Sequence, residues 1–337
     1  MIRSLAAVAA LSTCLAVAGC GSDESGEETA AGGEEQASEP IRAAYASALD
    51  PNDVADQFGL EAAGAKVQTL GDDSAVVAGL LRDSIDVGNV DFDAAMKAAV
   101  QGVPLKIIYI SQRRPEFVFV SRPEIPSLND LADKRVGFHA KGSQTDIFAR
   151  ALIRQKAPEV YDDVEFLGLE ESSRRAQALV AKRLDATTVE AINLAQLKKE
   201  GDYHQLGTWG DLGGEAGAVL GTAWITTEEN YEKKSEQLTE FVKSMQEGYD
   251  RFYTDKEGWL AMAKEKLPDV DQSLLPDVYE VYKGQDMYPK SGEPAVTPET
   301  FAQNDAFFRD LGEWEEEQSD ELVAFDLVDA GAGAGGS

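Results

Sequence analysis

Four polar or flexible residues stand where a short strand turns into a helix: Gly142, Ser143, Gln144 and Thr145. The β-branched and aromatic residues before them predict a strand over 135–138, and apolar residues at helical spacing follow. The first turn of such a helix offers unpaired backbone N–H groups, hydroxyls and the positive end of the helix dipole, which can hold an anionic or polar ligand group. The same pattern is typical of a helix that is simply capped by Ser143, so both interpretations stay open.

Few residues in the chain could serve metal or nucleophile chemistry. The 337 residues include two cysteines, Cys14 and Cys20, and two histidines, His139 and His204. The histidines lack metal-ligand spacing, and Cys14 falls in a segment that we expect to be removed. We therefore expect no internal disulfide, no zinc site, no Cys/His nucleophile and no cofactor.

The overall charge excludes one large class of partners. Sixty-one acidic against 31 basic residues give a formal net charge of −30. Nucleic acids and anionic membrane surfaces are bound through clustered lysine and arginine, so we expect no nucleic-acid partner. A positive pocket could still exist inside this negative field.

The first 40 residues have the pattern of a leader and a tether. An apolar run over residues 5–18 is too short to span a bilayer but has the length of a secretory signal. It ends in Ala18, Gly19 and Cys20, which resembles the bacterial lipobox; this resemblance implies a signal peptide over 1–19 and lipidation of Cys20, with stable membrane anchoring by two fatty chains. Residues 21–40 contain seven acidic residues and no basic or aromatic one, so we expect residues 20–40 to be a disordered acidic tether.

Strand and helix patterns alternate at short intervals from residue 41 onward. Continuous apolar runs such as LKIIYIS over 105–111 are separated by helical patterns, which predicts an α/β fold with largely parallel sheets. The alternation restarts after residue 121 and gives a second α/β unit of about 100 residues. Residues 231–311 are helical in pattern and should cover the first unit, and the glycine-rich residues 330–337 should form a flexible tail.

Three stretches, in this order, resemble the solute-binding proteins of bacterial ABC importers: residues 57–108, IPSLNDLADKRVGFHAKGS at 125–143 and ALVAKRLDATTVEA at 178–191. Within that group they are similar to nitrate-, sulfonate- and taurine-binding proteins and to binders of thiamine pyrimidine precursors. The resemblance implies a two-lobe type II periplasmic-binding fold with two crossovers, ligand held in the cleft and hinge closure. It implies lobe one over 41–121 and 222–329, including a C-terminal helical segment, and lobe two over 122–221.

Carried over to this sequence, the resemblance places ligand-facing residues on loops of both lobes and beside the return crossover: Ser47, Leu49, Asp91, Phe92, Gln112, Arg113, Arg114, Gly142, Ser143, Gln144, Thr145, Thr188, Glu190 and Trp224. Asp91 would also serve as a helix cap, and Phe92 and Trp224 as core aromatics. An arginine of the 113–114 pair facing the cleft suits a carboxylate or sulfonate, whereas Glu190 favours an amine or aminopyrimidine. The two signals conflict, so the class of ligand stays open.

The resemblance implies capture of a small organic or oxyanion ligand and its delivery to an ABC permease and ATPase. We expect the protein to be a monomer, anchored by lipid at the outer face of the cell membrane. One alternative is a sensor lipoprotein that presents the ligand to a membrane kinase. Another is an enzyme resembling the yeast-type thiamine pyrimidine synthases, but those carry a cysteine-rich iron-binding motif that residues 41–337 lack, so we expect no enzyme.

Overall fold

The structure of the chain, a computed structural model, describes residues 39–333. The predicted signal peptide, the lipidation site at Cys20 and nearly all of the predicted tether lie outside the described residues. None of the described helices is long and apolar enough to cross a membrane. Strands and helices alternate through this range, and the prediction of an α/β fold is confirmed.

Ten strands are found among the described residues: β1 (Arg42–Tyr45), β2 (Lys66–Thr69), β3 (Val87–Asp91), β4 (Leu105–Ile110), β5 (Val118–Ser121), β6 (Arg135–Phe138), β7 (Glu165–Gly168), β8 (Ala186–Val189), β9 (His204–Thr208) and β10 (Thr222–Thr227). The helices of the same range are α1 (Val54–Ala62), α2 (Asp73–Leu81), α3 (Phe92–Val100), α4 (Gln144–Lys156), α5 (Ser172–Val180), α6 (Ala191–Glu200), α7 (Gly214–Gly217), α8 (Glu228–Lys233), α9 (Ser235–Thr254), α10 (Lys256–Lys266), α11 (Leu275–Gly284), α12 (Pro298–Asp310) and α13 (Phe325–Ala332). Several helices begin at caps that the sequence offers, since the side chains of Asp72, Ser143 and Thr297 each accept a hydrogen bond from the first turn.

Two five-stranded sheets share one topology. The first sheet has the order β2-β1-β3-β10-β4, and we call the part of the chain around it lobe one. The second sheet has the order β7-β6-β8-β5-β9, and the part around it is lobe two. In each sheet three strands pair in parallel, and one strand, β10 or β5, runs antiparallel to its neighbours. These two strands enter their sheet from the other lobe, at the end where the parallel strands stop, so they must run in the opposite direction. The sheets are therefore mixed, with four of the five strands of each running in one direction, which agrees with the expectation of largely parallel sheets.

Two elements at the edges were not predicted. Strand β9 has few β-branched residues, and it pairs with β5 next to a register shift. Helix α13 occupies the start of the segment that we expected to be a flexible tail. Its Gly331 packs so closely on β4 that an added Cβ would lie 2.7 Å from the Tyr109 ring, and Val323 forms an isolated bridge with Ile107. Residues 330–332 of that segment thus belong to α13, because small residues in this helix permit close packing on the sheet.

Most helices after β10 pack on lobe one, while α11 also contacts α6 of lobe two. One close contact fixes the helix that begins at the cleft. Helix α9 lies against α1. A Cβ on Gly59 would lie 2.6 Å from the Met245 Cα, and a Cβ on Gly248 would lie 2.6 Å from the Gly59 nitrogen. The two helix backbones therefore touch at a pair of glycines, which sets the position of α1.

Each lobe repeats one arginine–aspartate pairing at the start of its sheet. Asp86 Oδ2 accepts hydrogen bonds from the Arg42 backbone N–H (2.8 Å) and Nε (3.0 Å). In lobe two, Asp185 Oδ2 accepts from the Arg135 backbone N–H (2.9 Å) and Nε (3.0 Å). The backbone N–H of each aspartate donates in return to the carbonyl of its arginine. Both aspartates are buried, so each pairing ties the second strand in the order of its sheet, β1 or β6, to the residue before the third, β3 or β8.

We predict that Asp86→Asn destabilises the protein by about 1.5 to 3 kcal/mol at pH 7, the usual range for hydrogen bonds to charged groups. Burial alone would raise the pKa of Asp86, but hydrogen bonds from Arg42 and Lys234 outweigh burial and lower the pKa to about 2. A carboxyl group with a lowered pKa stabilises the fold above its unfolded pKa, and the stabilisation is lost as the pH falls towards the folded value. The difference in the free energy of unfolding between variant and wild type should therefore narrow from pH 4 to pH 2, as measured by urea denaturation.

Asp83→Asn is the matched control for this measurement. Asp83 is exposed and also pairs with Arg42, at 2.6 Å. Exposed ion pairs contribute little, so this change should cost less than about 0.5 kcal/mol. Equal losses for the two variants would show that Asp86 has no special role.

Candidate functional site

The candidate site is the cleft between the lobes, where the parallel strands of both sheets end. The loops that follow β3 and β6 meet across it. The side-chain amide of Gln144, in lobe two, donates to Asp93 Oδ1, in lobe one, at 3.3 Å. The structure thus brings together two of the segments that were predicted to face the ligand.

On the side of lobe two, three helices begin around one cavity. The cavity has a volume of about 410 Å³, and its lining includes Phe117, Thr145, Ser172, Arg175, Glu190 and Asn193. Ser172 Oγ accepts from the Glu190 backbone N–H (3.0 Å) and donates to Asn193 Oδ1 (2.7 Å). These bonds fix the starts of α5 and α6 against each other.

Glu190 stands at the start of α6 with its carboxyl group unpaired. It occupies the N-cap position, but its side chain makes no cap hydrogen bond and contacts no other donor within the described part of the chain. Burial is the main cause of the raised pKa of this carboxyl, and the negative charge of Asp50 adds to it; Arg175 acts in the opposite direction. Glu190 therefore lies where lobe two meets a carboxyl group of lobe one.

Arg175 is a buried cation that the sequence did not single out. Only 2% of its surface is exposed. Its Nε donates to the Thr188 carbonyl at 2.9 Å, and its Nη1 donates to the carbonyls of Leu169 (3.1 Å) and Glu170. Burial lowers its pKa to about 10. The signal in the sequence is an arginine in line with Leu179, on the apolar face of α5.

Lobe one contributes a run of three aspartates, of which Asp50 ends the predicted ligand-facing loop 47–50 and the other two were missed. Asp50, Asp53 and Asp56 recur at every third position where β1 turns into α1. Asp53 Oδ2 accepts from the Asp50 backbone N–H at 2.8 Å, and Asp56 Oδ2 accepts from the Tyr45 hydroxyl at 2.9 Å. Burial raises the pKa of Asp56 to about 7 and, with the charge of Asp56, raises that of Asp53 well above its usual value. The repeat itself is the signal that could have found them.

A further carboxyl group lies on the crossover from lobe one to lobe two. Glu116 precedes β5, and its Oε2 accepts from the Tyr282 hydroxyl at 3.0 Å. Burial raises its pKa well above the usual value, and the charges of Glu190 and Asp50 raise it further. The sequence after strand β4 contains no pattern that would have indicated a buried acid at Glu116.

Several predicted residues keep polar groups available at the cleft. Asp91 starts α3 without a side-chain cap bond and reaches solvent, yet burial, followed by the charges of Asp73 and Asp93, raises its pKa to about 7. Gln112 is 4% exposed, and no described residue bonds to its amide. Ser47 is exposed and Leu49 half-buried after β1. The helix-cap interpretation of Asp91 is therefore not supported by its contacts.

The two arginines after β4 contact the segment after α11. Arg113 pairs with Asp286 (3.5 Å) and Glu293 (2.9 Å), and the Nη1 of Arg114 donates to the Gln285 carbonyl at 3.0 Å. The segment after α11 folds back over the crossover and gives Arg113 two carboxylate partners, whereas Arg114 meets a neutral carbonyl and its buried Nε has no partner among the described residues. These contacts do not support an inward Arg113, and a ligand contact by Arg114 stays a prediction.

The loop at the start of α4 is satisfied by its own side chains. Ser143 Oγ accepts from the Asp146 backbone N–H at 3.4 Å, and Thr145 Oγ1 accepts from the His139 backbone N–H at 2.9 Å. The Gly142 backbone N–H donates to the Asp146 carboxylate at 3.0 Å. Asp146 therefore takes the place of an external anion, and the capping interpretation accounts for these contacts.

Two predicted aromatic residues lie in the core. Phe92 is fully buried and meets Phe301 edge to face at 6.4 Å between ring centroids. Trp224 is fully buried between Tyr45 (5.5 Å) and Phe241 (5.2 Å). The structure thus favours the core alternative for both.

Comparisons with known proteins agree with this architecture. The periplasmic aliphatic sulphonate-binding protein SsuA of Escherichia coli is 16% identical, with a TM-score of 0.67, covering 87% of this chain and 100% of the other. The ligand-binding component of an ABC-type import system from Staphylococcus aureus, with zinc bound, is 12% identical, with a TM-score of 0.66, covering 87% and 99%. The desulfurization enzyme DSZB is 12% identical, with a TM-score of 0.59, covering 86% and 98%. At such identities the likeness establishes the fold, and the prediction of a two-lobe periplasmic-binding fold is confirmed.

Sequence comparison identifies the family. None of the curated proteins matches the sequence. The family model described as NMT1/THI5-like matches residues 60–257, which is more than half of the chain and includes both crossovers. The chain therefore belongs to the NMT1/THI5-like family.

Proposed function

We propose that this protein is an extracytoplasmic solute-binding protein that captures a small molecule between its lobes and delivers it to an ABC permease and its ATPase. The observation that carries the proposal is the set of polar groups at the cleft that the chain leaves unpaired. The Gln112 amide is almost fully buried without a partner among the described residues, and the Glu190 carboxyl group is half-buried without one. Unpaired buried polar groups are costly, so a bound ligand would relieve that cost.

The family and its structural neighbours support this class of function. One neighbour is named as a periplasmic binding protein for aliphatic sulphonates, and another as the ligand-binding component of an ABC-type import system with zinc bound. The ligands in these names belong to those proteins and are not assigned to this chain. For this chain we propose a small organic or oxyanion ligand, and the residues of the cleft determine its chemical class.

An enzyme is the second candidate, because the desulfurization enzyme DSZB has the same fold. The contacts of the histidines favour binding over catalysis. His139 Nδ1 is 2.8 Å from the Glu170 carbonyl, and His204 Nε2 is 3.1 Å from the Pro123 carbonyl. Both histidines thus bond to backbone oxygen atoms and not to a hydroxyl that they could activate. Turnover of any bound compound, followed by chromatography, would decide for the enzyme.

We predict that ligand stabilises the protein and closes the cleft. A panel of nitrate, sulfonates, aromatic acids, amines and pyrimidines should contain compounds that raise the melting temperature. A ligand that binds only the folded state contributes about 2.7 kcal/mol at a hundredfold excess over its dissociation constant. The same compounds should reduce the radius of gyration in small-angle X-ray scattering, because groups from both lobes contact the ligand only when they meet.

Two glutamine variants make this test specific. Gln112→Ala should weaken the thermal shift, whereas Gln177→Ala, at an exposed position on α5, should not. A panel without any stabilising compound, or saturation without a change in the scattering profile, would contradict the solute-binding proposal.

We also propose that the mature protein is anchored by lipid on Cys20, and the two cysteines provide a matched test. Cys20→Ala should move the protein from the membrane to the soluble fraction, because the acylated residue is lost. Cys14→Ala changes a residue of the predicted signal peptide and should leave the protein membrane-bound. If Cys20→Ala stayed with membranes after salt and alkaline washing, another anchor would have to be sought.

A further inference from the structure

Three carboxyl groups from separate parts of the chain converge on the cleft. Asp50 follows β1 in lobe one, Glu116 lies on the crossover and Glu190 starts α6 in lobe two. Glu190 lines the cavity of lobe two next to Phe117, the residue that follows Glu116. Tyr282, whose hydroxyl donates to Glu116 at 3.0 Å, lies 6.5 Å from Tyr288 between ring centroids, and the Tyr288 hydroxyl donates to the carbonyl of Asn52, two residues after Asp50. These contacts bring the three carboxyl groups near one another at the cleft, where the charges of Glu190 and Asp50 act on Glu116.

The charge of these groups is poorly compensated. Arg175 is the cation that acts on Glu190, and its Nε and Nη1 already donate to backbone carbonyls. On the remaining sides, Glu116 meets the neutral Tyr282 hydroxyl, and Asp50 meets Asp53. Arg113 pairs with the carboxylate of Glu293, whereas Arg114 donates to the neutral Gln285 carbonyl. Within the described range the cleft thus gathers more negative charge than it balances.

The N-termini of the helices around the cavity do not compensate this excess of negative charge. The positive ends of α4, α5 and α6 favour negative charge, but each already has an acid of its own. Asp146 serves α4 through the Gly142 N–H, Glu171 stands at the start of α5, and Glu190 stands at the start of α6. An external anion would have to enter beside these carboxylates.

A buried hydroxyl two residues before Glu190 is unpaired, which is a second and independent observation. Thr188 is 0% exposed, and its Oγ1 has no hydrogen-bond partner. Side chains two residues apart lie on the same face of an extended strand, so this hydroxyl is on the face of β8 that leads to Glu190. A hydroxyl can accept a hydrogen bond from an N–H group of a ligand that the carboxylates hold.

We propose that the cleft recognises an organic cation, a ligand with a positively charged nitrogen group, through Asp50, Glu116 and Glu190. This inference rests on the proposed solute-binding function and names its class of ligand. A nitrogen cation would balance the carboxylates and donate hydrogen bonds to them, and Phe117 supplies an aromatic face beside it. A metal ion fits less well, because no set of three His, Cys, Asp or Glu in the described range is arranged to hold one.

The test compares three probes of equal length and different charge on the full chain: butylammonium, 1-butanol and butanesulfonate, at equal ionic strength and pH 8. Butylammonium should give the largest thermal shift, and Glu190→Gln should weaken its binding about tenfold or more. Glu240→Gln is the control, since Glu240 is exposed on α9 and pairs with Lys243 at 2.9 Å. It should leave butylammonium binding unchanged.

A second readout needs no ligand. The pKa of Glu190 is raised in the folded protein, so its charged form opposes folding, and this effect grows as the pH rises above the unfolded value. Glu190→Gln should therefore raise the melting temperature at pH 8, and the gain should shrink towards pH 4. Glu116→Gln should behave in the same way, whereas Glu240→Gln should give no gain.

The outcomes separate the two proposals. A larger shift with butanesulfonate or 1-butanol than with butylammonium would overturn the organic-cation proposal and leave the solute-binding function in place. Loss of stability at pH 8 in both Glu190→Gln and Glu116→Gln would also overturn it. If no probe and no compound of the wider panel bound, the solute-binding function would fail as well.

Discussion

The two crossovers between the lobes are hydrogen-bonded to each other, and the rest of the cleft depends on this contact. The backbone N–H groups of Ser111 and Gln112 donate to the Thr222 carbonyl, and the Gly221 N–H donates back to the Gln112 carbonyl at 2.9 Å. A Cβ at Gly221 would lie 2.8 Å from the Arg114 carbonyl oxygen, so only glycine permits this approach. Because both crossovers pass at the end of the sheets, any rotation of the lobes about them opens or closes the site.

The hinge and the charged site are therefore the same place. Glu116 lies on one crossover and Gln112 at its start, so groups that we expect to contact ligand also belong to the segment that must flex. A cleft with uncompensated carboxylates is less stable than one with neutral groups, and such local costs are found where a protein binds or reacts. In this protein the cost would be relieved when the lobes close on a cation. Ligand charge and lobe closure would thus be coupled through one crossover.

The sequence reveals the scaffold better than the chemistry of the site. Alternating strands and helices and the three family-like stretches predict the α/β class and the two lobes, because burial patterns are local properties of the chain. The antiparallel course of β5 and β10 depends on the path of the chain between lobes, which no local pattern records. The position of Arg113 depends on Asp286 and Glu293, far along the sequence. The carboxyl cluster was missed for the same reason, since Asp50, Glu116 and Glu190 become neighbours only after folding.

The arginine–aspartate pairing that recurs in both lobes distinguishes acids that hold the sheets together from acids that lie at the cleft. Asp86 and Asp185 make equivalent bonds to the arginine that starts each sheet, and the strand that follows each aspartate runs into the cleft. The two segments read DVGNVD at 86–91 and DATTVE at 185–190, so each lobe presents an acid, Asp91 or Glu190, at the same point of the repeat. Neither acid caps its helix with its side chain. Since the repeated aspartates already anchor the strands, these second acids are not needed for the scaffold, and their common position places one carboxylate from each lobe at the cleft.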